Sequence, residues 1–146
     1  MKAVVQVVGQ ARLSVENKLI SEIGQGLVVY FCVESGDLEE KLSFFAKKIA
    51  NMRIFSDEND KINLSVKDVG GEILLVSQFT LAGNCEHGNR PSFFTAEEPV
   101  RAEKLYQEFG KLLQEEYGIV VKFGVFGADM TIEQTNRGPF TICLEK

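Results

Sequence analysis

Residues 26–33, Gly-Leu-Val-Val-Tyr-Phe-Cys-Val, form a near-continuous apolar run. A strand with one face in water alternates polar and apolar residues, whereas a run without alternation needs cover on both faces. Ser35-Gly36-Asp37 breaks the run. Leu38, Leu42, Phe45, Ala46, Ile49 and Met52 then recur at helical spacing, with Asp37 and Glu40 spaced as a capping pair. Gly70-Gly71 introduces a second apolar run, Glu72 to Leu81. A second amphipathic segment, Glu97 to Tyr117, places Leu105, Phe109, Leu112 and Leu113 on one side, tolerates Pro99 in its first turn and ends at Gly118. Two strands covered on both faces, each followed by a helix with one apolar stripe, predict a layered α/β domain with the two helices on one face of the sheets.

Upstream of this centre, Ala3 to Val8 and Ala11 to Val15 are rich in β-branched residues and flank Gly9-Gln10, which reads as a hairpin. Downstream, Ile119 to Phe126, Thr131 to Thr135 and Phe140 to Leu144 read as three closing strands, with Asn136-Arg137-Gly138-Pro139 as the turn between the last two. Ser56 to Asp60 reads as a polar turn. No repeat, low-complexity tract or Pro/Ser-rich linker divides the chain, so one domain over residues 1–146 is expected. At 146 residues, 45% hydrophobic and 25% charged, such a domain buries a core without disulfides or a structural metal.

A formal charge of −5 argues against coating duplex nucleic acid or an anionic membrane through net charge. Cys32, Cys85 and Cys143 are an odd set without C-x-x-C spacing, which supports neither a disulfide framework nor a zinc site and points to a reducing compartment. The apolar run at Ala3 to Val8 is too short for a signal segment, and no run reaches membrane-spanning length, so no membrane partner and a cytoplasmic location are expected.

The chemistry-bearing residues fall at loop-rich edges. Ser77-Gln78-Phe79-Thr80 places two hydroxyls and a carboxamide where a buried strand meets a loop, a usual location of α/β active sites. Either these hydroxyls close backbone groups at a strand terminus or they face a ligand. No His, Asp, Glu or Lys lies between Ile73 and Asn84, so a hydroxyl nucleophile there lacks a neighbouring base, and another molecule must supply the base or the nucleophile. Cys85-Glu86-His87 reads as a solvated loop, and His87 is the sole histidine, which excludes chemistry needing two imidazoles; no metal is expected. Arg53-Ile54-Phe55 and Arg90-Pro91-Ser92-Phe93 each pair a guanidinium with an aromatic, either as a surface Arg beside a core Phe or as a hold for a phosphate or base. Gly138-Pro139 in a tight turn is a place for a cis peptide, whose carbonyls would present a rigid acceptor surface able to sort ligands by handedness.

Together, Ser77-Gln78-Phe79-Thr80-Leu81, Asn136-Arg137-Gly138-Pro139-Phe140-Thr141, Arg53-Ile54-Phe55-Ser56-Asp57, Arg90-Pro91-Ser92-Phe93 and Phe126-Gly127-Ala128-Asp129-Met130 resemble the D-aminoacyl-tRNA deacylase family over essentially the whole chain. The resemblance implies a homodimeric, metal-free and cofactor-free esterase in an α/β/β layered fold. Its substrate would be the tRNA 3′ end carrying a D-amino acid, or glycine misplaced on an alanine tRNA. Residue by residue it implies that Ser77, Gln78, Phe79 and Thr80 form the catalytic wall, with backbone N–H groups around Phe79 as an oxyanion hole. Gly138-Pro139 would reach into the partner subunit's pocket and exclude L-amino acids, while Phe126, Met130 and Asn136 support substrate binding. The terminal ribose 2′-hydroxyl would help activate water, leaving Thr80 a positioning role. Two positions depart from the family pattern: Val7 stands where an Arg anchors the Gly-Pro loop, and Arg137 stands where an acidic residue is usual. The alternatives are the related branch that removes L-alanine from mischarged threonine tRNA, and a non-catalytic nucleic-acid-binding module on the same scaffold.

Overall fold

A computed structural model describes residues 1–146. In chain order the elements are β1 (Lys2–Val15), β2 (Lys18–Ile23), β3 (Gly26–Cys32), α1 (Lys41–Asn51), β4 (Phe55–Ser56), β5 (Ile62–Leu64), β6 (Glu72–Ser77), a 3-10 turn (Phe79–Ala82), α2 (Pro99–Glu115), β7 (Val121–Phe123) and β8 (Thr131–Glu145). The main sheet has the order β2-β1-β3-β6-β7, with β8 added along β1. β3, β6 and β7 are mutually parallel and the pairings of β1 are antiparallel. Val28, Val29, Leu74 and Leu75 are fully buried, as runs without alternation require.

β1 organises the layers. Its first half, Lys2 to Val8, pairs with β3, and its second half, Ala11 to Val15, pairs with β2, while β8 follows its other edge. The second half therefore carries β2 across the face of β6 and β7, where the Ser21 hydroxyl donates to the Phe123 carbonyl at 2.7 Å. Two apolar cores result. The larger one joins Val5, Val7, Leu27, Val29, Ile73 and Leu75 to Phe45 and Ile49 of α1 and to Leu105, Tyr106 and Phe109 of α2. The smaller one encloses Val8, Ala11, Leu13, Ile23, Val28, Leu74 and Val76 between the two strand layers. The architecture is thus α/β, with both helices on one face of the sheet and a second strand layer on the other.

Gly110, in the middle of α2, lies where a Cβ would enter the Phe123 ring. The helix accepts the lower propensity of glycine there because β7 needs the space. Tyr106 of the same helix donates its hydroxyl to the Leu75 carbonyl at 2.7 Å and so ties α2 to the centre of the sheet.

Several boundaries differ from the sequence-based expectation. No hairpin forms at Gly9-Gln10, because neighbours on both edges carry β1 straight through with only local shifts of register. The hairpin lies instead at Glu16 and Asn17, both at positive φ (50° and 63°), and leads into β2, which carries little apolar signal. α1 begins at Lys41, and its N-cap Glu40 makes no side-chain bond. Asp37 does not cap it, because its carboxylate accepts from the Glu34 N–H at 2.8 Å and from Lys41 at 2.6 Å and faces the Met1 ammonium group. The strand expected over Glu72 to Leu81 ends at Ser77, and that over Ile119 to Phe126 is reduced to Val121–Phe123. The strands expected at Thr131 to Thr135 and Phe140 to Leu144 are one strand, β8. Between the pairs Gln6↔Thr141 and Val8↔Asn136, the residues from Arg137 to Phe140 oppose Val7 alone, so this segment arches out as an excursion. No helix is long and apolar enough to cross a membrane.

Candidate active site

Strand β6 delivers Ser77 to the end of the sheet. The next residue stays tied to β3 through the Gln78 N–H, which donates to the Phe31 carbonyl at 2.9 Å. Gln78 then leaves extended geometry (φ −143°, ψ 79°), and the chain turns into the 3-10 turn beginning at Phe79. The first N–H groups of a helical turn have no acceptor within it. No side chain caps this one, so the N–H groups at its start remain available to a ligand. The Gln78 side-chain amide donates to the Thr80 hydroxyl, which fixes that oxygen at the rim. The Phe79 ring is about half exposed and meets Phe93 edge-on, with centroids 5.2 Å apart.

Beside this turn lies a cavity of about 530 Å³. Ser77, Gln78 and Phe79 line one side, and Phe126, Gly127, Ala128, Asp129 and Met130 line another. Cys32 and Val33 of the neighbouring strand end complete it, with Ala96, Glu97 and Pro99 at the start of α2. Its surface is mainly apolar with a few convergent polar groups, the character of a small-ligand site. Burial pushes the Cys32 thiol up to about 11, with the nearby Glu34 carboxylate adding to the effect, so the thiol stays neutral. Glu97 is committed to Arg101 and to the Glu98 N–H. Asp129 lines the cavity and forms no ion pair, which leaves it the one free carboxylate there.

The cavity unites Ser77, Gln78, Phe79, Phe126 and Met130, five of the residues singled out in the sequence, and keeps Thr80 next to them. It does not include Asn136, Gly138 or Pro139. Gly138 lines a separate groove of about 390 Å³ with Val7, Val8, Gly9, Ile54, Phe140 and Arg137. The Gly138-Pro139 peptide bond is cis. In a single chain the candidate residues thus fall at two places. Sequence reasoning did not assign Cys32 or Glu97 to the site and reached Asp129 only as part of the segment Phe126 to Met130, with no role of its own. Asp129 sat inside a motif already noted, whereas Glu97 carried only the signal of a helix start. Cys85, Glu86 and His87 are exposed and do not line this cavity.

The profile of the family described as D-Tyr-tRNA(Tyr) deacylase matches residues 4–145. The chain is 49% identical over 146 residues to a D-aminoacyl-tRNA deacylase of Pelobacter propionicus, covering 100% of both chains. It is 47% identical over 144 residues to one of Thermodesulfovibrio yellowstonii, covering 99% of this chain and 98% of the relative. A solved structure described as c-Myc DNA Unwinding Element Binding Protein superposes with a TM-score of 0.95 at 41% identity, over 100% of this chain and 99% of that one. A second, described as a probable eukaryotic D-amino acid tRNA deacylase, shares the fold with a TM-score of 0.82 at 21% identity, over 98% and 97% of the two chains. With the match running from one end of β1 to the end of β8, the chain belongs to the D-Tyr-tRNA(Tyr) deacylase family, a family of hydrolases.

Proposed function

We propose that this chain hydrolyses the ester bond joining a D-amino acid to the 3′-terminal ribose of tRNA, and likewise glycine misplaced on alanine tRNA. The observation that carries the reading is the cavity at the end of β6, where uncapped N–H groups at Phe79 meet a mainly apolar wall of Phe126 and Met130. In the reaction, water adds to the ester carbonyl carbon and the carbonyl electron pair moves to oxygen. The Phe79 N–H donates to that oxyanion, and one such donor is worth about 2.7–4 kcal/mol of barrier. Collapse of the adduct expels the ribose 3′ oxygen, which takes up a proton and leaves free D-amino acid and tRNA.

No imidazole lines the cavity and Glu97 is paired, which supports assistance of the attacking water by the ribose 2′-hydroxyl of the substrate, with Asp129 as the rival base. Ser77, Gln78 and Thr80 position the ester, and Asn136 braces the base of the Gly138-Pro139 excursion. That dipeptide comes from a second copy of the chain and closes the cavity against L side chains. Two features support this homodimer: Gly138 lies outside the cavity of its own chain, and β8 pairs only with β1, leaving a long free edge. An acidic chain suffices for the single-stranded 3′ end, where few phosphates need contact. An aminoacyl-tRNA substrate supports a cytoplasmic location.

The test is a deacylation assay comparing D-Tyr, L-Tyr and Gly esters on their tRNAs, with L-Ala on threonine tRNA as a further arm. Release from the D-Tyr and Gly esters with the L-Tyr ester spared is the expected result. Preferential release of L-Ala would assign the related branch instead. A second reading, a non-catalytic nucleic-acid-binding module, is favoured by the neighbour described as a DNA-element-binding protein, and tRNA binding without turnover of any ester would establish it.

A further inference from the structure

Gly9 is a glycine in the middle of β1 whose backbone does not require one, since its φ is not in the positive range. Glycine within a strand weakens it, and it recurs where another group must approach the backbone closely. Here that group is the side chain of Arg137. Its Nε lies 2.9 Å, its Nη2 3.4 Å and its Cζ 3.6 Å from where a Cβ on residue 9 would stand. Arg137 opens the excursion that carries Gly138 and Pro139. It takes part in no ion pair, so the contact with the strand is what occupies its guanidinium.

The two ends of the same excursion are bound to each other through side chains on the three neighbouring strands. Tyr30 of β3 donates its hydroxyl to the Gln134 carbonyl oxygen at 3.2 Å. The Gln134 amide donates to Asn136 at 2.6 Å and to Gln6 of β1 at 2.8 Å. The Gln6 amide in turn donates to Thr141 at 3.3 Å. Asn136 and Thr141 are the residues that re-enter the β1 pairing on either side of the excursion.

We propose that Arg137, with its Nε–Nη2 edge set in the hollow that Gly9 leaves in β1, is a positioning residue that holds the Gly138-Pro139 excursion in place and thereby sets discrimination between D- and L-aminoacyl esters. This rests on the reading of Gly138-Pro139 as the element that excludes L-amino acids. The amide relay binds the feet of the excursion, and the guanidinium braces its first residue against the strand. Val7, which faces the excursion from β1, is apolar and buried and donates nothing to it. The Nε–Nη2 edge of a guanidinium is a rigid fork of N–H donors, which the point charge of an ammonium group does not reproduce.

The experiment measures kcat/KM for D-Tyr and L-Tyr esters of tRNA in Arg137→Ala, Gly9→Ala, the double variant, Arg137→Lys and Pro139→Ala. A methyl group on residue 9 meets only the far end of a flexible side chain, so Gly9→Ala evicts the guanidinium without breaking β1. The expected result is a fall of at least tenfold in the D/L ratio for Arg137→Ala, about 1.4 kcal/mol of discrimination. Gly9→Ala should show a similar fall, the double variant no further fall, and Arg137→Lys no recovery. The D-Tyr rate and the melting temperature should stay near those of the parent. An unchanged ratio in Arg137→Ala, with a lowered ratio in Pro139→Ala, overturns the seat and leaves the reading of the dipeptide standing. An unchanged ratio in both overturns that reading as well. Full recovery with lysine, or effects that add in the double variant, shows charge or independent packing at work and overturns the seat. If Gly9→Ala does not fold, Arg137→Ala against Arg137→Lys decides alone.

Discussion

Thr80 has its hydroxyl oxygen occupied by the Gln78 amide, and no base stands on its own segment. A hydroxyl held in this way orients a substrate better than it attacks one. Thr80→Ala should therefore keep measurable turnover of D-Tyr-tRNA. Asp129→Asn, which removes the one free carboxylate of the cavity, should do the same, whereas a 2′-deoxy terminal adenosine should abolish release. Single-turnover assays with the three combinations check this. Loss of turnover in Asp129→Asn with an active 2′-deoxy substrate would move the base from RNA to protein. Ser77, Gln78 and Phe79, which line the cavity, stood out in the sequence because hydroxyls and an amide end an apolar strand. Glu97 and Cys32 were not, since they reach the cavity from other elements whose local sequence says only helix start and strand end.

At the scale of elements, two of the contacts that seat α2 on the sheet are the Tyr106 hydroxyl on Leu75 and the close approach at Gly110. Gly110→Ala improves helix propensity and yet forces a methyl group into the Phe123 ring. Overpacking outweighs propensity, so the variant should be destabilised by about 1–3 kcal/mol, a fall of a few degrees in Tm for a domain of this size. The turn before α1 carries a second consequence. Burial acts to raise the Asp37 carboxyl, but the bonds from Lys41, the Met1 ammonium group and the Glu34 N–H outweigh it and hold the group below its ordinary value. A carboxylate whose value is lowered by folding contributes stability at all pH above its unfolded value, near 3.9, and loses it as pH falls through the folded one. Asp37→Asn should lower stability at pH 7 by about 1.5–3 kcal/mol, and the difference should shrink only as pH falls below the unfolded value and vanish below the folded one, as measured by denaturant titration at pH 7 and through the acid range. The two covered strands and both amphipathic helices were legible from periodicity. The β2 strand and the unity of β1 were not, because β2 carries little apolar signal and β1 is held straight by neighbours at both edges rather than by local propensity.

The molecule as a whole offers its cavity at one place and its Gly138-Pro139 excursion at another. The proposed completion of the site by a second copy would account for both this separation and the free edge of β8. Sedimentation at assay concentration should therefore show a dimer. Activity per chain should fall on dilution below the dimer dissociation constant, and mixing Pro139→Ala chains with Thr80→Ala chains should give heterodimers whose two sites differ in D/L ratio. A monomer with full activity and intact discrimination contradicts the arrangement.

Hydrophobic periodicity by itself determined the α/β class and the two helices, since burial on one stripe or on both faces leaves its mark residue by residue. The strand-end motif was likewise on the surface of the sequence, whereas Gly138-Pro139, which reads there as a turn between two strands, is an excursion within β8. Only the tertiary structure decided that β1 runs unbroken through Gly9 and carries β2 over the sheet as a second strand layer. It alone placed Asp129 in the cavity and Arg137 over Gly9. These are contacts between residues more than a hundred positions apart or on different strands, and they are set by pairing and close approach, which a linear pattern of polar and apolar residues does not encode.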